Sequence, residues 1–332
     1  MKSSWWGAGL TYVGAVVGAG FASGQEIYQF FTRFGVMGTL GIILAGCLFA
    51  VLGYKALEQG RRWSMGSYGS LLQSAYPPWL VRGAEGLTTV FLVIGLGVVA
   101  SAGGADVAGF TGLPAIFGAF ITIIAVVAVA ARGTGGMIRL NMVLVPYLVV
   151  MVLVTVALNW NAPGVNTVVA APAPGWLISA LLYLSYNVFT GVMVLLGVGR
   201  TLTSPLQSFG AAFLGAAILS LLAYAEHHLL MTLPVIAELP MVDAALHTDP
   251  LWGIFFGAGL WVALFTTGVA EAYILSEQYG KKVLWGVCAT FLLGLIRFDN
   301  LVRLFYPLMG MVAIVLWIPL VYKGSGRRFP GG

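Results

Sequence analysis

"YVGAVVGAGFASGQEIYQFF", residues 12–31, is an apolar run interrupted by Gly14, Gly18, Gly20 and Gly24, and then by Ser23, Gln25 and Glu26. As a continuous helix it is poorly built, because each interior glycine costs about 1 kcal/mol against alanine. Glycine does permit backbone conformations that other residues resist, and it lets another group approach closely. The stretch therefore predicts a helix that breaks near its middle. A break exposes amide N–H groups where the second half-helix starts and carbonyls where the first one ends. The N–H groups of Ala19 and Gly20 then suit an anion, with Ser23 and Gly24 at the edge of the same gap, and the carbonyls of Gly14 and Val17 suit a cation. The glycines equally fit close helix packing, since Gly14-xxx-Gly18 and Gly20-xxx-Gly24 are small-xxx-small patterns.

The surroundings are those of a membrane. The 332 residues are 60% hydrophobic and 8% charged, with a mean hydropathy of +0.96. A soluble domain carries about 25% charged residues, so this chain lacks the polar surface that water demands. It reads as an all-α polytopic membrane protein. The net charge of +5 then reflects loops facing anionic lipid rather than nucleic acid. Cys47 and Cys288 both lie in apolar runs, which gives neither a disulfide framework nor a metal site. Lys2 and the apolar stretch after it lack a small-residue cleavage site and read as a retained first span.

A span needs about 20 apolar residues. Ten segments qualify: 5–31, 35–57, 84–106, 112–131, 137–159, 176–199, 205–231, 251–279, 282–297 and 299–322. The ninth is short. "RRWSMGSYGSLLQSAYPPW", between spans two and three, is amphipathic and predicted to lie along the interface. With both termini in the cytoplasm, only Arg33, Arg297 and Arg303 of the sixteen Lys and Arg fall outside, which satisfies the positive-inside rule. The expected location is therefore a cell membrane, multi-pass. The polar stretch 159–175 divides a single transmembrane domain, 1–332, into halves 5–159 and 176–322. Five spans per half force opposite polarity, the arithmetic of an inverted repeat. The first span of the second half also has a polar middle, "LYLSYNVFTG" (182–191), and a second break is expected there. Tyr183, Ser185, Tyr186 and Asn187 would contact substrate from that break, or else serve interhelical hydrogen bonds and aromatic packing.

"GAGFASGQEIYQFF" resembles the first-span signature of the YkvI-like membrane proteins, which are similar in organisation to LeuT-fold transporters of the amino acid–polyamine–organocation superfamily. A second stretch, "ALFTTGVAEA" (263–272), resembles the eighth-span Ala-x-x-Thr-Thr pattern of the sodium-coupled members. The resemblance implies ten helices in a 5+5 inverted repeat with helices 1 and 6 broken, and alternating access. It also implies symport of an amino acid or related small amine. It carries a sodium site onto the carbonyls of Gly14, Val17 and Ala263 and the hydroxyls of Thr266 and Thr267. Sodium is the expected coupling ion and no other cofactor is implied. The partners are a small-molecule substrate and the lipid bilayer. The residues alone leave a plainer reading of the threonines, hydrogen-bonding back to their own helix.

Acids inside a membrane are costly and are functional candidates by default. Glu271 is one helical turn from Thr267 and carries a proton, lines the inward exit for the cation, or pairs with Lys281 or Lys282. Glu26 is a gating candidate, paired with Arg33 or Arg303, or it sits in solvent. Asp106 and the "EHH" triplet, 226–228, are expected at the membrane surface. No G-x-S-G, H-E-x-x-H or C-x-x-C occurs, which speaks against an intramembrane enzyme. A proton-coupled transporter and a non-transporting ligand sensor remain the alternatives.

Overall fold

The computed structural model describes residues 4–63, 77–132, 137–160 and 175–322. They are helical, with no strand among the described residues. The first predicted span is three pieces: α1 (Trp5–Val16), α2 (Ala19–Ala22) and α3 (Gln25–Phe30), followed by a 3₁₀ turn, Thr32–Phe34. Then come α4 (Val36–Trp63), α5 (Pro78–Thr111), α6 (Ala115–Ala130) and α7 (Met137–Leu158). The second half holds α8 (Gly175–Gly199), α9 (Pro205–Leu230), α10 (Pro240–Thr248), α11 (Pro250–Tyr279), α12 (Val283–Cys288) and α13 (Phe298–Tyr322). A 3₁₀ stretch, Ala289–Leu295, extends α12.

Local chemistry sets the boundaries. Pro78, Pro205, Pro240 and Pro250 each begin a helix, where a missing N–H costs nothing and a fixed φ helps. Ser204 and Asp249 cap α9 and α11 by accepting the N–H groups of Gln207 at 3.3 Å and Trp252 at 2.9 Å. All ten predicted segments fall on helix. The helices containing Val36–Arg62, Pro78–Thr111, Pro205–Leu230 and Pro250–Tyr279 are by themselves long and apolar enough to cross a membrane. The ninth segment, six α and seven 3₁₀ residues, is about 23 Å long at the two standard rises and falls short of a bilayer core.

The surface is apolar where a soluble protein would be polar. Phe117, Phe120, Ile121 and Ile124 on α6 and Phe209, Phe213 and Leu221 on α9 are all exposed, as lipid contact requires. Inside, one large core joins α1–α5, α7–α11 and α13. A second core joins α5, α6, α11 and α12 through residues such as Leu96, Ile123, Val269 and Val287. Helices α4 and α8 approach most tightly at their ends. A Cβ on Gly60 would overlap the Leu196 carbonyl, and one on Gly199 would lie 3.0 Å from the Leu57 carbonyl carbon.

Three expectations need correcting here. Span six is not broken: α8 runs from Gly175 to Gly199 without interruption. It has no glycine or proline between Trp176 and Thr190, and two polar residues at its middle bond within the helix. The Ser185 hydroxyl donates to Leu181 O at 2.7 Å and the Asn187 amide to Tyr183 O at 3.0 Å. The "EHH" triplet is not a surface cluster, because α9 turns Glu226 and His227 inward, to 0% and 1% exposure. The His227 ring meets the hydroxyls of Thr32 at 3.0 Å and Thr39 at 3.2 Å. Asp106 is likewise buried, beside Gly257 of α11. The interfacial stretch 64–76 and most of the central loop, 161–174, lie outside the described residues.

Candidate functional site

The break in the first span has a hydrogen-bonding cause. An unbroken helix would give the Gly18 N–H to Gly14 O, but here it goes to Val16 O at 2.9 Å. Val17 and Gly18 are extended, and α2 restarts for a single turn. Ser23 closes that turn. Its hydroxyl donates to Gly20 O at 2.8 Å, and its oxygen accepts the Gln25 N–H at 3.2 Å, capping α3. Gly24 reverses the chain with φ +82°, a conformation that any Cβ makes costly. The loop helix α10, which the sequence reading missed, completes the closure: Met241 N–H donates to Ser23 O at 3.0 Å.

Around this break lies a cavity of about 230 Å³. At about 30 Å³ per water it holds roughly seven or eight, and it is smaller than a drug-sized site of about 300–1,000 Å³. Its apolar lining belongs to or packs against the larger core. Residues 14–20 form one wall, Gly95, Val98 and Val99 of α5 and Leu144 and Leu148 of α7 another. Ala263, Thr266, Thr267 and Glu271 of α11 face Tyr186 and Asn187 of α8 and Tyr306 of α13.

The five oxygens assigned to a cation by resemblance thus belong to residues brought together on one cavity. Both threonine hydroxyls donate to Ala263 O at 3.0 Å, so the plainer reading of the pair also holds. A hydroxyl that donates its proton keeps lone pairs for another partner. Of the residues expected to touch substrate, Ala19, Gly20, Tyr186 and Asn187 line the cavity, whereas Ser23, Gly24, Tyr183 and Ser185 stand behind it. Ser23 and Gly24 shape the turn. Tyr183 packs edge-on against Phe31 at 4.8 Å and Phe49 at 5.9 Å. The Ser185 hydroxyl donates to Leu181 O within α8.

Glu26 is neither in solvent nor, among the described residues, paired with Arg33 or Arg303. It is 5% exposed and accepts a hydrogen bond from the Tyr186 hydroxyl, and its carboxyl lies directly against Gly20. The Arg33 guanidinium stacks on the Phe34 ring at 4.8 Å, and Arg303 donates to Asn300 at 3.1 Å. Glu271 also faces the cavity. Its Oε2 is buried without a hydrogen-bond partner among the described residues, while Lys281 turns to Ala131 O. The sequence reading missed Tyr306, which stacks obliquely on Tyr186 at 5.1 Å, and Gly95, whose bare Cα makes room for the Glu271 carboxyl. No local sequence signal marks Tyr306 or Gly95. Glu226, expected at the membrane surface, is fully buried with neither oxygen partnered among the described residues.

No family model matches the chain. Two Bacillus subtilis (strain 168) proteins are similar along nearly the whole length. Membrane protein YkvI is 27% identical over 96% of this chain and 96% of its own, and YyaD is 24% identical over 95% and 97%. Among solved structures, inward-facing Mhp1 superposes with a TM-score of 0.65 at 15% identity, covering 96% of this chain and 76% of Mhp1. MhsT in complex with L-phenylalanine gives 0.58 at 19% identity, covering 100% and 84%. The Eremococcus coleocola manganese transporter gives 0.60 at 13% identity, covering 96% and 78%. The chain is homologous to the B. subtilis YkvI-type membrane proteins and has the fold of the LeuT-type transporters.

Proposed function

We propose that the protein is a secondary active transporter that moves an amino acid or related small amine by alternating access, coupled to sodium. It crosses the membrane ten times, with both termini in the cytoplasm, and 5–159 and 176–322 form the two inverted halves. The observation that carries this reading is convergence. The break at Val17–Gly18 and the Ala263–Thr266–Thr267 face of α11 open on the same cavity, inside the larger packed core. Backbone is left irregular at membrane depth only where it is buried or lines a site. Gly14, Val17, Ala263, Thr266 and Thr267 offer neutral oxygens, which suit a hard monovalent cation. MhsT, of the same fold, binds L-phenylalanine, which supports the substrate class.

Uptake into proteoliposomes over a panel of amino acids and amines tests the proposal. Accumulation driven by an inward sodium gradient, and lost with choline, is expected. Binding without accumulation would refute transport and leave a sensor. A second reading has one observation in its favour, the Glu271 oxygen on the cavity wall that has no hydrogen-bond partner among the described residues. Under it Glu271 carries a proton, uptake follows a pH gradient with choline replacing sodium, and Glu271→Gln abolishes it.

A further inference from the structure

The charges and shape of the cavity restrict what can occupy it. Two carboxyls line it, Glu26 and Glu271, and no Lys, Arg or His among the described residues does. The neighbouring bases are engaged elsewhere: Arg33 with the Phe34 ring, Arg303 with Asn300, His227 with Thr32 and Thr39. A cargo carboxylate would therefore meet two like groups in a poorly solvated space with no basic side chain among the described residues lining it.

The position of Glu26 sharpens the point. The α3 helix folds back at Gly24 and sets the Glu26 carboxyl against Gly20, on the cavity side of the break. A Cβ on Gly20 would overlap Glu26 Oε1 and lie 2.9 Å from its Cδ. The protein's own carboxyl thus fills the space beside α2 that the sequence reading reserved for an anionic group of the substrate. The Tyr186 hydroxyl donates to Oε2 and fixes how the carboxyl is presented. The Tyr186 and Tyr306 rings, 5.1 Å apart, add faces that attract a cation. A divalent transition metal is the other cationic candidate. Among the described residues, however, no group of three or more His, Cys, Asp and Glu side chains assembles to hold one.

We propose that this cavity takes a small organic ammonium without a carboxylate, its charge paired with Glu26 and flanked by Tyr186 and Tyr306, and that Glu26 stands in for the carboxylate an amino acid would bring. This rests on the transport reading above and narrows its substrate class.

The test is binding of matched pairs to the purified full-length protein: phenethylamine against phenylalanine, isoamylamine against leucine, cadaverine against lysine. Affinity is read by titration calorimetry and by the shift in melting temperature. The expected result is that at least one amine binds at least tenfold more tightly than its amino acid. Glu26→Gln, which keeps an acceptor for Tyr186, should lower that affinity at least tenfold. Tyr186→Phe, which keeps the ring and frees the carboxyl, should lower it less. An amino acid binding as tightly as its amine, no amine binding, or unchanged amine affinity in Glu26→Gln would each overturn the proposal. The comparison on the unmodified protein needs no variant to fold. Sodium-driven accumulation of amino acids but not amines would keep the transport reading and overturn this one. Amine binding without accumulation would do the reverse.

Discussion

Gly20→Ala is a small perturbation with a calculable consequence. Gly20 lies inside α2, so alanine adopts its backbone without strain and gains about 1 kcal/mol of helix propensity. The new methyl would overlap Glu26 Oε1 and sit 2.9 Å from Cδ and 3.1 Å from Cγ. Ordinary separations between such atoms are about 3.5 Å or more, so the carboxyl must retreat by about 1 Å. An O–H···O bond holds only to about 3.0 Å, and the Tyr186 contact breaks. That loss is worth about 1–3 kcal/mol. Offset by the propensity gain, the net change in fold stability is about 0–2 kcal/mol, and the variant remains folded. A cargo that reads the same carboxyl loses the displaced partner in full, about 5- to 150-fold in affinity at 1.4 kcal/mol per decade. Calorimetric binding on Gly20→Ala, Tyr186→Phe and the double variant checks this, with melting curves alongside. The two changes act on one contact, so the double variant should fall short of additivity by at least about 0.5 kcal/mol. Unchanged affinity in Gly20→Ala, or strict additivity, would refute the chain of contacts from Gly20 through Glu26 to Tyr186.

Thr267→Ala removes one oxygen from the proposed sodium site. Substrate affinity should fall several-fold at low sodium and recover at saturating sodium, because the two ligands shift each other's affinity by the same factor; an equal loss at every sodium concentration would sink the site. Gly24→Ala combines a left-handed backbone, costing about 1–2 kcal/mol, with a Cβ 2.8 Å from Met241 Cγ, costing about 1–3 kcal/mol. The melting temperature should drop accordingly, and a destabilisation below about 1 kcal/mol would mean that the Gly24 turn tolerates a side chain. Asn161→Cys, in the central loop outside the described residues, should react with an impermeant thiol reagent on intact cells. Reaction only after permeabilisation would invert the topology.

Much of the helical framework is local and therefore legible in the chain. Long apolar runs give the segments, prolines at 78, 205 and 250 give helix starts, and the glycines at 18 and 24 give the break in the first span. The unbroken α8 follows from equally local facts, since Ser185 and Asn187 bond within their own helix and glycine is missing there. What the chain alone withholds is rotation. Each residue turns a helix face by about 100°, and a helix apolar all round offers no polar stripe to say which side faces lipid and which faces a neighbour. The tertiary structure therefore decided that Glu226 and His227 point inward, and that Tyr183 and Ser185 stand behind the cavity while Tyr186 and Asn187 line it. It also decided that Glu26 meets Tyr186, 160 residues away, rather than an arginine. A buried carboxyl has few partners within reach once the helices are packed, and only the packing of α3 against α8 and α13 determines which of them it finds.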